Sequence, residues 1–375
     1  MKRRMGGPFA PYDKSVPELT RRRFLKGSAV AAAGAATAGL VAPKPGWAAD
    51  SMSFLTWCDH ADSRLIGTFQ DATGVTVDVK TYEGTGSALA VKEQSSPGDW
   101  DLFCLDFQDT PMVSRLGIID ALDDDRVPWD KYFPGLREQP HSYTDGKLWG
   151  VPDKFGYYGV AYNKNKVDPE DAKTAEIMYN PKYKNRIAVY DYYFPVIQLV
   201  GISRDLRPQD ITVANLESTI REPLLELKAN AQVVGDILTV LNALYTESVD
   251  MIIAGSEWSV ALDMAEIDWL DWTIFDEGGL LWNESLCIFS DSEKKDFCWD
   301  FIDHTLSPDG QRYLATSECF WGLPVIIDTP MSDQEKTILR WDQQQEFLAR
   351  SYASTIGGED LDEAMLDLWT EFLQA

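Results

Sequence analysis

The chain is poor in the side chains that enzymes use for acid–base and metal chemistry. Its 375 residues include only three histidines and five cysteines. The sequence also lacks the short motifs of serine hydrolases, zinc peptidases, phosphate-binding loops and dinucleotide-binding folds. We therefore predict that the protein is not an enzyme, has no catalytic residues, and binds neither a cofactor nor a metal in its main function.

The few cysteines show no C-x-x-C pair and no zinc-like spacing. Cys104 and Cys287 lie inside apolar runs, so we expect both to be buried as small hydrophobic side chains. Because the count is odd, at least one thiol is free, and one disulfide can form in an oxidising compartment. The sequence leaves open which two cysteines would pair.

Long apolar runs are scarce as well. The Ala/Gly-rich run at residues 27–42 is shorter than the roughly 20 residues that cross a bilayer, and no later stretch is long enough. The residues just before it, T-R-R-R-F-L-K at 20–26, resemble a twin-arginine export signal. We interpret residues 1–49 as a signal peptide, cleaved after Ala48 or Ala49, and predict a periplasmic product.

The chain also has fewer basic than acidic residues. The chain has 34 basic and 60 acidic residues, a net charge of -26. Nine of the basic residues and two of the acidic ones lie in the leader, so the exported part is more acidic still. Such a charge repels phosphate backbones, and we predict no nucleic-acid partner. The length and a hydrophobic content of 45% indicate a folded protein of two domains.

Short apolar runs alternate with helical patterns after the leader. Residues 53–82 show an apolar run, a helical periodicity that ends at Gly74, and then alternating valines, which predicts a parallel strand, helix, strand unit. Residues 333–350 and 360–373 instead read as amphipathic helices without strands. We predict an α/β fold with mostly parallel sheets; further strands are expected at residues 101–105, 158–162, 186–190, 249–254 and 272–275, and a helix at 234–244.

Polar and aromatic side chains follow four of these apolar runs. Ligands of open parallel sheets bind beyond the carboxyl ends of the strands, so these positions are the first candidates for a binding site. Each can instead be an ordinary packing or capping residue. The candidates are Trp57, Asp59, His60, Asp106, Gln108, Tyr192, Glu257 and Trp258.

The order of these signals resembles the periplasmic spermidine/putrescine-binding family, extracellular solute-binding proteins of ABC importers. The resemblance implies a type II two-lobed fold with crossover hinge strands, with residues 50–157 plus 284–330 in one lobe and 158–283 plus 331–375 in the other. It depends on A-T-G-V at 72–75, G-V-P-D-K-F-G-Y-Y-G-V-A-Y-N-K-N-K-V at 150–167, N-P-K-Y-K-N-R-I-A-V-Y-D at 180–191 and E-G-G-L-L-W-N-E-S-L-C-I at 277–288.

The same resemblance implies a ligand site between the lobes. Carboxylates suit the charged ends of a polyammonium chain, and aromatic faces suit its methylenes, where each cation–π contact adds about 0.5–2 kcal/mol. The positions that match the family's ligand-lining residues are Trp57, His60, Asp106, Gln108, Trp282, Glu284 and Trp321.

Two departures from the family pattern concern the ligand. Where the family has two acids at the start of the helix after the fourth strand, this chain has Tyr192 and Pro195, so that amine anchor is missing. Lys154, beside the first crossover, would add a positive charge near the cleft. Such a charge suits a carboxylate or a zwitterion better than a polyamine.

We therefore predict the periplasmic solute-binding component of an ABC transporter. It would be a monomer that captures a small amine-bearing, polyamine-like solute and delivers it to a permease in the inner membrane. One alternative on this scaffold is a zwitterionic or carboxylate solute. Another is ferric ion, for which His60 and the tyrosines Tyr190, Tyr192 and Tyr193 are suitable ligands. An enzyme built on this fold is the third alternative.

Overall fold

The structure is a computed structural model and describes residues 50–139, 141 and 143–375. The signal peptide and its cleavage site lie outside these residues. The strands are β1 (Ser51–Thr56), β2 (Thr76–Thr81), β3 (Leu102–Asp106), β4 (Tyr143–Thr144), β5 (Lys147–Leu148), β6 (Val151–Asn163), β7 (Ile187–Tyr190), β8 (Ala231–Gly235), β9 (Met251–Gly255), β10 (Leu270–Thr273), β11 (Gly279–Ile288), β12 (Leu323–Pro324) and β13 (Ser351–Ala353).

The helices vary from single turns to sixteen residues, and short 3₁₀ and π turns lie between them. They are α1 (Ser63–Thr73), α2 (Thr85–Glu93), α3 (Thr110–Arg115), α4 (Pro169–Ala172), α5 (Tyr193–Ile202), α6 (Val213–Asn215), α7 (Arg221–Asn230), α8 (Ile237–Tyr245), α9 (Glu257–Met264), α10 (Lys295–Thr305), α11 (Pro308–Ala315), α12 (Asp333–Ile338), α13 (Gln344–Ala349) and α14 (Glu359–Gln374).

The first strand, helix, strand unit forms as the sequence predicts. Strands β1 and β2 pair in parallel, with α1 between them. The side chain of Asp62 caps α1 by accepting a hydrogen bond from the Arg64 N–H at 2.8 Å. The helix ends at Gly74, whose φ of +75° lies in the left-handed region that glycine adopts without strain. Leu65 and Phe69 are buried on the face toward the sheet.

A single sheet extends through both lobes. Its strand order is β2-β1-β3-β11-β6-β9-β7-β8, with β10 and β12 also paired to β6, and β13 paired to β11. Strands β1, β2 and β3 are parallel on one side, and β7, β8 and β9 are parallel on the other. The long strands β6 and β11 pair antiparallel between the two groups. This arrangement confirms the two-lobed α/β fold with crossover strands.

The two crossover strands are also the centre of the hydrophobic core. Phe155 and Tyr157 on β6 and Leu281 on β11 are at most 1% exposed and belong to the largest cluster. A second cluster packs α5 and α14 on β7 and β9, and a third, smaller one surrounds Phe103 of β3. Because β6 and β11 are covered on both faces, polar side chains placed on them are removed from water unless they face the cleft.

Two predicted helical segments differ from the structure. Residues 231–235 form the edge strand β8, and α8 begins only at Ile237, because the Asp236 side chain caps it by accepting from the Thr239 N–H. The predicted helix 333–350 is divided at Arg340, which has φ +52° and donates to the Trp272 carbonyl at 2.9 Å. The prediction that the tail has no strand was also wrong, since β13 pairs with β11.

The cysteines lie as predicted: Cys104 and Cys287 are buried, and at least one thiol is free. Both of these thiols are free, and so is that of Cys298, which is also buried. Cys58 and Cys319 form a disulfide with a Cα–Cα distance of 6.0 Å, which joins the end of β1 to the loop before β12. In the described part of the chain, we find no helix with both the length and the apolarity to cross a membrane.

Candidate ligand-binding cleft

Two carboxyl groups lie side by side where β3 ends. Asp106 is the register partner of Glu284 on β11. Glu284 is 3% exposed, and its Oε2 atom has no hydrogen-bond partner. Burial and the charge of Asp109 raise the pKa of Asp106 to about 8. Burial and the charge of Asp59 raise the pKa of Glu284 well above its usual value. A cation placed between these groups would favour their ionised forms.

Aromatic rings of the second lobe surround the same space. The ring centroids of Tyr190 and Trp258 are 5.2 Å apart, and those of Tyr190 and Tyr192 are 5.7 Å apart. Tyr192 also contacts Tyr158 of β6, at 6.5 Å. Burial is the main cause that raises the pKa of Tyr190 and Tyr192, and the charge of Asp106 is the second for both. The acids of one lobe therefore face the tyrosines of the other.

The crossover strands supply the floor of the cleft. Gly156 of β6 is the register partner of Trp282 of β11. A Cβ atom on Gly156 would lie 1.8 Å from Glu257 Oε1 and 2.4 Å from Trp282 Cζ2, so both side chains pack directly on the backbone. Glu257 Oε1 accepts from the Tyr157 N–H at 2.9 Å, and Oε2 accepts from the Ser256 hydroxyl at 2.6 Å. Both oxygens of Glu257 are therefore used within the protein, and burial raises its pKa to about 7.

Replacing Gly156 with alanine is expected to disturb this floor. The added methyl group would overlap the rigid indole of Trp282, and overpacking of a buried site costs about 1 kcal/mol or more. Urea unfolding should show the loss of stability. The matched control is Gly67→Ala in α1, where a Cβ meets no atom within 4 Å and helix propensity favours alanine. If both variants are as stable as the wild type, the close packing at Gly156 is contradicted.

The remaining predicted contacts lie on the first-lobe side. The Trp57 ring lies 5.2 Å from the Tyr82 ring. Gln108 follows β3, is 6% exposed, and its Oε1 atom has no partner. Trp321 is 9% exposed and follows the Cys58–Cys319 disulfide, so this crosslink holds the Trp57 and Trp321 segments together. No local pattern predicts this pairing, because the two cysteines are 261 residues apart.

Asp59 and His60, both predicted ligand contacts, lie in a fully buried ionic cluster. The His60 ring contacts Asp59 Oδ1 through Nδ1 at 3.1 Å and Asp153 Oδ2 through Nε2 at 2.7 Å. Lys154 Nζ donates to Asp59 Oδ2 at 2.5 Å. Burial opposes charge on His60, but Cys104, Asp153 and Asp59 raise its pKa well above the usual value. Burial likewise opposes charge on Asp59, yet Lys154 and His60 lower its pKa.

Sequence reasoning missed the role of Asp153 and treated Lys154 as a cleft residue only. The signal available in the sequence was a pair of adjacent opposite charges, D-K, inside the otherwise apolar crossover strand. Buried charges need partners, and the segment after β1 provides them for both residues, since His60 contacts Asp153 and Asp59 accepts from Lys154. The Phe320 carbonyl, in the loop after α11, also accepts from Lys154.

One metal-like group of side chains occurs among the described residues. His60, Cys104 and Glu284 place one potential ligand atom each within 4.8 Å of one another. Both ring nitrogens of His60 contact carboxylates, so neither offers a free lone pair while the ring is charged. The Lys154 charge lies in the same cluster. This donor set does not fit a metal ion.

A two-lobed α/β fold with an acidic and aromatic cleft between its lobes defines a solute-binding protein of the periplasmic type. The family comparison agrees: the model of the bacterial extracellular solute-binding protein family matches residues 64–332, and the chain belongs to this family. The signal sequence of the twin-arginine translocation pathway matches residues 18–38. The chain is the substrate-binding component of an ABC transporter and is exported to the periplasm, as predicted.

Two relatives are similar to the chain at low sequence identity. Spermidine/putrescine-binding periplasmic protein 1 of Haemophilus influenzae is 24% identical over 263 residues, which cover 68% of this chain and 71% of that protein. The Escherichia coli spermidine/putrescine-binding periplasmic protein is 23% identical over 277 residues, covering 71% and 75%. The prediction of the family is therefore confirmed.

Solved structures give the same architecture. The Streptococcus pneumoniae spermidine/putrescine substrate-binding protein PotD has a TM-score of 0.73 at 17% identity, covering 87% of this chain and 99% of that chain. The Atu4243 GABA receptor has a TM-score of 0.63 at 16% identity, covering 86% and 97%. The shared fold is thus found in proteins named for different solutes, so the fold alone does not identify the solute.

Proposed function

We propose that the cleft binds a small amine-bearing solute, polyamine-like in size, which the protein delivers to a permease in the inner membrane. The observation that carries this proposal is the Asp106–Glu284 pair, opposite one another on neighbouring strands and facing the aromatic rings of the second lobe. The names of the relatives at 23–24% identity support an amine as the ligand.

The types of side chain in the cleft suit an alkylammonium. Asp106 and Glu284 provide carboxyl oxygens that accept hydrogen bonds from an amine. Trp57, Trp282 and Tyr192 provide ring faces for the methylenes and for the charge, each contact adding about 0.5–2 kcal/mol. We propose that the predicted ligand contacts line the cleft, with three exceptions. Asp59, His60 and Glu257 would not contact the ligand directly but would hold neighbouring residues in place.

Ferric-ion binding is less well supported. Iron would need its histidine and tyrosine ligands gathered at one point, but both ring nitrogens of His60 contact buried carboxylates. Tyr193 donates to Asp362 in α14 and so points away from Tyr190 and Tyr192. An enzymatic function is also less well supported, because the family is one of solute-binding proteins. The proposed function therefore contains no chemical step.

We also propose that the protein acts as a monomer with the lobe boundaries predicted above, residues 50–157 plus 284–330 and 158–283 plus 331–375. Two of the three internal boundaries fall within the crossover strands, after Tyr157 in β6 and before Glu284 in β11, and the third lies between β12 and α12. A bend at the crossover strands would open and close the cleft.

The test is a titration of the refolded mature protein, freed of solute by unfolding and dialysis, with spermidine and putrescine and with compounds of one amine. Tryptophan emission should change and saturate, because Trp57 and Trp282 lie in the cleft. Mass spectrometry should recover the ligand unchanged. If no amine binds while simple dicarboxylates or sugars do, the proposal is wrong; an altered product would indicate an enzyme.

Affinity for an amine is expected to rise at least about tenfold between pH 6 and pH 7. With a pKa of about 8, Asp106 must release a proton to become the charge partner, whereas an alkylamine stays protonated below about pH 9. Calorimetry in two buffers of different ionisation enthalpy should show this proton release. Asp106→Asn should flatten the profile. An equally steep profile in that variant would assign the proton to another group, such as Glu284, Asp109 or Glu257.

A further inference from the structure

The side chain of Lys154 occupies an environment suited to binding an amine. Its ammonium group is fully buried and donates to Asp59 Oδ2 at 2.5 Å and to the Phe320 carbonyl at 3.2 Å. The same Nζ atom lies 4.2 Å from the centroid of the Phe320 ring. A carboxylate, a carbonyl oxygen and a ring face together are the groups that recognise an alkylammonium ion. The protein therefore fills this subsite with its own amine.

This filled subsite adjoins the proposed cleft. Lys154 of β6 is the register partner of Glu284 on β11. A Cβ on Gly322 would lie 2.6 Å from Lys154 Cε and 2.8 Å from Trp282 Cη2, so the lysine stem and the indole pack against the same backbone position. The Lys154 charge also acts on Glu284, where it partly opposes the effect of burial on the pKa. A ligand between the lobes would thus meet Lys154 as a neighbour.

Two kinds of unpartnered polar atom lie in the cleft, and the indole Nε1 of Trp57 belongs to the second kind. Glu284 Oε2 and Gln108 Oε1 are buried acceptors, which suit an ammonium group. The indole Nε1 atoms of Trp258, Trp282 and Trp321 are buried donors without acceptors, and each of these residues is 9% exposed. An indole N–H only donates, so it cannot bind a second ammonium and needs an oxygen from whatever fills the cleft.

From these contacts, and resting on the proposed function, we propose that Lys154 is a resident ammonium that determines specificity. It occupies one amine subsite, so the solute carries one cationic nitrogen, bound at Asp106 and Glu284. The other end of the solute carries an oxygen acceptor, such as a carboxylate, that receives the indole N–H groups. A diamine would place its second charge near Lys154 and leave the indole donors unpaired.

Ligands matched in length and differing only at one end test this inference. Refolded mature protein is titrated with 4-aminobutyrate, butylamine and putrescine, and with the corresponding six-carbon compounds, 6-aminohexanoate, hexylamine and 1,6-diaminohexane. At the better-fitting length, the amino acid is expected to bind at least tenfold more tightly than the diamine. The monoamine, which lacks the acceptor, should also bind more weakly than the amino acid.

The variant Lys154→Met releases Asp59 and should reverse this order, with the diamine gaining about tenfold. The matched control is Lys164→Met, since Lys164 follows the same strand but is exposed, and it should keep the wild-type order. Wild-type protein that binds the diamine more tightly than the amino acid overturns the inference but leaves the proposed function intact. If neither these six amines nor spermidine binds to any form, the proposed function fails. Should Lys154→Met fail to fold, the wild-type order alone decides.

Discussion

Replacing His60 with leucine is expected to lower the free energy of unfolding by about 3–5 kcal/mol, the usual cost of removing one partner from a buried ion pair. His60 is fully buried between Asp59 and Asp153. Without the imidazolium, Asp59 keeps Lys154 as a partner, but Asp153 is left as an uncompensated buried carboxyl group. Urea unfolding of the oxidised mature protein measures the change.

The pH dependence distinguishes this explanation from simple loss of packing. The folded-state pKa of His60 is raised, so its charge contributes stability that is fully present below its usual pKa of 6.5 and is lost as the pH rises through the folded value. The gap between wild type and His60→Leu should therefore be largest at or below pH 6.5 and should narrow in alkaline buffer. A gap that does not change with pH would indicate packing alone.

A second histidine provides the matched control. His304 is half-buried, and its hydrogen-bond partners, the Thr68 hydroxyl and the Leu65 carbonyl, are both neutral. The charge of Asp309 has only a smaller influence on it. His304→Leu is expected to cost about 1 kcal/mol, the value of an ordinary hydrogen bond. Equal losses for the two variants would contradict the ionic role of His60.

Glu284→Gln is expected to weaken binding of a cationic ligand by about 1–3 kcal/mol, or about 5-fold to 150-fold. The substitution keeps the shape of a side chain that is 3% exposed and removes its capacity for negative charge. The loss should appear in the tryptophan titration with any amine that binds the wild type. The affinity for a neutral solute of the same size should not fall.

The control for this variant is Glu277→Gln, which makes the same change shortly before β11. Glu277 is exposed and accepts from the Thr174 hydroxyl at 2.7 Å, outside the cleft, so affinity should be unchanged. A double-mutant cycle of Glu284→Gln with Asp106→Asn should give a coupling energy of about 0.5–3 kcal/mol if both carboxyls hold one amine. If Glu284→Gln binds like the wild type, Glu284 is not part of the site.

Several correct predictions depended on local signals only. The unit from β1 to β2 followed from an apolar run, a helical periodicity and a glycine that ends α1. That Trp57, Asp106 and Glu284 together contact a ligand stays a prediction, made from the ends of the strands and from the family resemblance. The wrong predictions concern segments whose secondary structure depends on a distant part of the chain. Strands β8 and β13 form because neighbouring strands offer unpaired backbone groups. No periodicity within residues 231–235 or 351–353 predicts that pairing.

Local patterns along the chain were enough to establish its export, its acidity and its α/β architecture, because charge, apolar period and glycine position act within a few residues. Contacts across the fold decided the state of each polar group in the cleft. Asp59 and His60 are held by Asp153 and Lys154, more than 90 residues away in the chain, and Cys58 is joined to Cys319. A buried charge takes its partner from whatever side chain the folded chain brings within a few ångströms, and spacing along the sequence carries little information about that distance.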